Sequence, residues 1–143
     1  MASVTNLLFL SDVGSLHMNF PEVVLSANLK PGSSAKTQKF TLKLTFSNSF
    51  LECEERGTFN GDLLEYFYNW YNEDNSLIMK FHYHEHPTGT DVTTIKQFDP
   101  LHIHKKQDQF DNEGKVHDHS PFQSLDDILN FLHMLSIVEK YKK

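Results

Sequence analysis

Between Lys39 and Phe46 the chain alternates strictly, with Phe40, Leu42, Leu44 and Phe46 apolar and Lys39, Thr41, Lys43 and Thr45 polar. Successive side chains of an extended strand point to opposite faces, so a period of two makes a strand with one dry and one wet face. A second alternation runs from Leu77 to His84, setting Leu77, Met79, Phe81 and Tyr83 against Ile78, Lys80, His82 and His84. Both stretches ask for a sheet that buries one side.

Further strands gather around these two. Val4–Leu10 and Glu22–Asn28 are short apolar candidates, and Phe50–Glu55 can return after a turn at Ser47–Ser49. Leu63–Tyr71 is rich in aromatics, and the polar turn Asn72–Ser76 joins it to Leu77–His84 as an antiparallel hairpin. Leu101–His104 is a short strand candidate. Lys105–Ser120 is polar, contains Gly114 and reads as a loop. The clearest helix comes last. Ser124 is a good N-cap, Asp127 stands at the capping-box position and Asp126 suits the positive helix start. Leu125, Ile128, Leu129, Leu132, Leu135 and Ile137/Val138 form its apolar stripe, and Lys140, Lys142 and Lys143 suit its negative end. The expectation is one α+β domain over residues 1–143, with an antiparallel sheet of about five to six strands packed by a C-terminal amphipathic helix.

Composition narrows the function. Aromatics make up 13% of the chain, enough bulk for a core in 143 residues. The net charge of −6 and a lone arginine, Arg56, argue against a protein that coats nucleic acid by overall charge. The single cysteine, Cys53, excludes an internal disulfide and reads as structural between Glu52 and Glu54. Glu52, Glu54, Glu55 and Asp62 read as a solvated edge; Tyr66, Phe67, Tyr68, Trp70 and Tyr71 could stack bases on an exposed sheet, but half of such a run must face inward, and core is the favoured reading. Met1–Leu10 has no basic residue ahead of its apolar patch and does not read as a secretory signal, so the expected compartment is the cytoplasm.

The histidines are the unusual feature. Seven of the 9 fall in three groups: His82-Tyr83-His84-Glu85-His86, His102-Ile103-His104 and His117-Asp118-His119. On a strand, residues i and i+2 share a face, so each His-x-His pair presents two imidazoles together. Three chemistries suit that geometry. One is metal-free acid–base catalysis on RNA, with one imidazole taking a ribose proton, another protonating the leaving oxygen, and Lys80, Lys105 or Lys106 steadying the phosphate. Another is a divalent transition metal held by the His-x-His pairs, with Glu85, Asp99, Asp111 or Asp118 able to complete the set. The third is a polar surface or a non-catalytic interface. His17 and His133 read as ordinary polar residues.

The order of features resembles the TumE family of small toxins from toxin–antitoxin pairs. It is carried by Thr41–Phe46, Ser49-Phe50-Leu51-Glu52 with Glu55, Tyr66-Phe67-Tyr68-Asn69-Trp70, Leu77-Ile78 with Lys80-Phe81, His86-Pro87, Phe98 with His102-Ile103-His104, and Ser124–Leu132. The resemblance covers roughly residues 39–135. It departs where His82-Tyr83-His84 replaces an Asp-Asn segment and Lys80 an arginine, and where Lys105–His119 reads as an insertion. An alternative register places Phe110-Asp111-Asn112 on the aromatic-Asp-Asn segment. The resemblance implies a toxin acting on RNA, partnered by a helix-turn-helix antitoxin. The family's histidines fall on His86, His102 and His104, the first candidates for catalysis; this chain's own residues add His82 and His84 as the next candidates, with Lys80, Lys105 and Tyr83 on the substrate. No cofactor is implied; a metal on the His-x-His pairs is the alternative.

Overall fold

A computed structural model describes residues 9–34, 36–58, 60–84 and 101–141. Among the described residues, seven strands run in chain order across one antiparallel sheet. They are β1 (Val24–Leu29), β2 (Thr37–Leu44), β3 (Phe50–Gly57), β4 (Leu63–Tyr71), β5 (Leu77–Tyr83), β6 (Leu101–Lys105) and β7 (Val116–His119). A short helix α1 (Leu16–Asn19) precedes the sheet and a long helix α2 (Leu125–Tyr141) follows it. The fold is α+β, with more strands than the sequence suggested. The added one is β7, which lies inside the segment read as a loop over 105–120 and pairs Val116 with Lys105 and His119 with His102. The candidate strand Val4–Leu10 falls almost wholly outside the described residues; Phe9 forms a lone bridge to Asp62.

The alternation in β2 sorts its side chains as expected. Phe40, Leu42 and Leu44 are buried, together with Leu51 and Cys53 from β3, Tyr66, Tyr68 and Trp70 from β4, Phe81 from β5 and Ile103 from β6. Leu125, Ile128, Leu129 and Leu132 of α2 complete this core. Ser124 caps the helix by accepting from the Asp127 amide at 3.3 Å, while the Asp127 carboxylate accepts from the Gln123 amide. The apolar stripe outlasts its partner: Ile137, Val138 and Tyr141 are exposed. Burial of Cys53, with Glu55 and Glu52 beside it, pushes its thiol up, so the residue is an inert core side chain.

Glu55 corrects the reading of the β3 carboxylates as a solvated edge. It is fully buried on the core side of an interior strand. Its carboxylate accepts from the Ser11 amide at 2.8 Å, the Ser11 hydroxyl at 2.6 Å, Gln38 Nε2 at 3.1 Å and the Tyr68 hydroxyl at 2.5 Å. Four donors replace the water it gave up. Glu52 and Glu54 point to the other face, where they pair with Lys30 and Arg56.

The alternation in β5 is broken once. The register steps from Trp70↔Met79 to Tyr71↔Leu77 and passes over Ile78, a bulge. Leu77 is thereby buried away from the main core, close to Gly114. Ile78 turns to pack against the core, contrary to the simple pattern.

Candidate functional site

The face of the sheet opposite α2 carries the imidazoles. On β5, Phe81 contributes to the core, so Lys80 and His82 point outward; on β6, Ile103 is inward, so His102 and His104 point outward. Pairing sets His82 opposite His102 and Lys80 opposite His104. Ring centroids lie 4.4 Å apart for His82–His104, 4.9 Å for His84–His102 and 4.9 Å for His102–His104. One nitrogen from each of His82, His84, His102 and His104 can be chosen so that all four lie within 4.8 Å of one another. Two strands, each with a period of two and paired in register, are sufficient to build this cluster.

Two rings are oriented by neighbours that can only accept. The Gly114 carbonyl accepts from His104 Nδ1 at 3.2 Å, and Asn69 Oδ1 accepts from His82 Nε2 at 3.0 Å. Each bond places the ring proton on the bonded nitrogen and leaves a lone pair on the other. Those other atoms, His82 Nδ1 and His104 Nε2, are buried and have no hydrogen-bond partner among the described residues. Burial, reinforced by the rings of His104, His102 and His84, drives the His82 pKa far below the ordinary imidazole range. Burial and His117 push His104 down to about 3. Both rings are therefore neutral near pH 7.

A loop between β6 and β7 covers one end of the cluster. The Asp111 carboxylate accepts from the amides of Gln107, Glu113, Gly114 and Lys115 at 2.8–3.0 Å, folding the loop around itself. Asn112 Oδ1 accepts from the Leu77 amide at 2.5 Å, tying the loop to the start of β5. Gly114 has a φ of +77°, and a Cβ there would come within 2.9 Å of the His104 Cβ. Glycine is needed at this position for both reasons.

The expected site residues separate into three sets. His82, His84, His102, His104 and Lys80 share one face. Tyr83 and Lys105 lie on the opposite face: Tyr83 packs against the core with Tyr66 at 5.7 Å, and Lys105 is ion-paired with Asp118 at 2.9 Å. His86 lies outside the described residues, as do Glu85 and Asp99. His117 falls in the segment that reads as an insertion, yet β7 brings its ring to 4.0 Å from that of His104. The available signal was its own His-x-His spacing, directly after the Gly114 turn. Phe67, within the aromatic run for which core was the favoured reading, pairs with His82 across β4 and β5. It borders the cluster, 5.0 Å from His82 and 4.9 Å from His84, with the Arg56 guanidinium 5.4 Å from its ring centre.

A concavity of about 520 Å³ lies near β2 and β3, lined by Leu25, Thr41, Lys43, Phe50 and Glu52 among others, and no histidine borders it. The histidine site is defined by its converging side chains. No described helix is long and apolar enough to cross a membrane.

Fold and site together define an α+β meander protein with a polyhistidine centre on the sheet face that its helix leaves uncovered. The chain belongs to the TumE toxin family: the family model described as Toxin TumE matches residues 16–136. The match takes in α1, all seven strands and most of α2, a wider span than the 39–135 read from motifs. No curated protein and no solved structure matches the chain. Membership makes it a toxin component of a toxin–antitoxin system, with an antitoxin as partner.

Proposed function

We propose that this toxin acts on RNA through the histidine face of its sheet, and that a helix-turn-helix antitoxin neutralises it in the cytoplasm by covering that face. The observation that carries the reading is the convergence of His82, His84, His102 and His104 beside Lys80 and Phe67 on one side of the sheet. Lys80, opposite His104, would meet a phosphate as a cation, and Phe67 offers a ring face on which a base can stack. The assignment of Lys105 and Tyr83 to the same substrate is dropped, because they lie on the other face.

The low pKa values refine the roles. A general acid works best with a pKa near the working pH, and neutral His82 and His104 do not qualify. They act as lone-pair donors. Expression of His102→Ala and of His104→Ala, each compared with the parent chain, tests the reading. Growth arrest and RNA loss should fall in both; toxicity retained in both overturns it.

A further inference from the structure

We propose that His82, His84, His102 and His104 bind one divalent late transition ion of the zinc type. The inference names a cofactor for the face assigned above to RNA, but it does not depend on RNA being the target.

The geometry comes first. Nitrogens bound to zinc at about 2.0–2.1 Å in a tetrahedron stand about 3.4 Å apart. Four ring nitrogens already within 4.8 Å of one another close onto such an ion by modest ring tilts. Their backbones belong to adjacent paired strands or follow directly from one, so little chain order remains to be lost on binding.

The orientation of the rings is the second argument. Histidines that bind a metal donate their other ring N–H to a carbonyl or a carboxylate, which fixes the tautomer and turns the lone pair inward. His104 does this with the Gly114 carbonyl and His82 with Asn69 Oδ1. In both rings the remaining nitrogen is buried with no hydrogen-bond partner among the described residues. Leaving such an atom unpaired has a free-energy cost, and an ion removes it.

The ligand chemistry selects the ion. Four imidazole nitrogens are borderline donors suited to zinc, cobalt, nickel or copper, whereas magnesium and calcium require oxygen ligands. His117, in contact with the His104 ring, lies at the border of the set. Four protein ligands also make a closed shell of the structural kind, joining β5 to β6.

The test uses the full chain, stripped with chelator and shown by circular dichroism to be folded, then titrated with Zn²⁺ and with Co²⁺ as a visible-absorbing probe. The expected result is one equivalent per chain, a tetrahedral cobalt spectrum and displacement of cobalt by zinc. His84→Ala, at the half-buried border of the cluster, and His104→Gln should each lose the stoichiometric site, while His133→Ala on α2 keeps it. Absence of binding by folded protein overturns the proposal. So does binding that survives both cluster variants, which would mark scattered surface histidines. RNA is absent throughout, so stoichiometric binding alongside unchanged toxicity in His102→Ala and His104→Ala would retire the RNA reading alone.

Discussion

The carbonyl of Gly114 accepts a hydrogen bond from Nδ1 of His104, so a loop residue sets the tautomer of an imidazole on the neighbouring strand. The contact requires a left-handed glycine and a loop folded around Asp111. Local turn chemistry thus reaches the centre of the histidine cluster.

Gly114→Ala is the most direct perturbation of that contact. The added methyl would meet the His104 Cβ at 2.9 Å and the Leu77 side chain at 3.3 Å, on a backbone with φ of +77°. A non-glycine residue held in that region costs about 1–3 kcal/mol. Urea unfolding should show a loss of this order, together with weaker metal binding.

Asp111 makes the loop sensitive to acid. The amides of Lys115 and Gln107, followed by those of Glu113 and Gly114, hold its carboxyl well below the usual carboxylate range. Its stabilising contribution is therefore complete above the unfolded value of about 3.9 and is lost as pH falls through the lower folded value. Amide exchange at Gln107, Glu113 and Lys115 should accelerate only below about pH 4. Asp111→Ala should show fast exchange at neutral pH.

Glu55→Ala should be severely destabilising although it lies far from the histidines in function. It strands the Tyr68 hydroxyl, the Gln38 amide and both Ser11 donors in or near the core. Lost hydrogen bonds to a charged group and unpaired buried donors point to about 2–4 kcal/mol. Thermal unfolding measures it, and Glu55→Gln, which keeps some acceptors, should lose less.

Lys80 and Lys105 should behave differently. Lys80→Ala removes the cation opposite His104 and should reduce RNA action in a growth-arrest assay. Lys105→Ala breaks a half-exposed, solvent-screened pair with Asp118 on the other face and should leave toxicity unchanged.

Much of this is legible in the sequence. Phe40, Leu42 and Leu44 announced a one-sided strand, His82 with His84 and His102 with His104 announced paired imidazoles, and Ser124 announced the start of α2. Each is a local property, set by the two-residue period of a strand or by the first turn of a helix. Glu55 was misread because a carboxylate is ordinarily solvated; its four partners come from Ser11, Gln38 and Tyr68, and no local pattern records them. The bulge at Ile78 escaped for a similar reason, since the Leu77–His84 alternation shows no interruption.

The sequence by itself determined the antiparallel sheet, its dry and wet faces, the closing helix and the grouping of histidines in same-face pairs. Only the tertiary structure decided that β5 and β6 lie side by side, so that two separate pairs become one four-imidazole cluster. It also decided that the chain returns through β7 to add His117 and to pair Lys105 with Asp118 on the other face, whereas the direction of Tyr83, away from His82 and His84, was already written in the alternation. Side-chain direction follows from a period of two along one strand, whereas neighbourhood follows from strand order and register, which are settled by packing across the whole sheet.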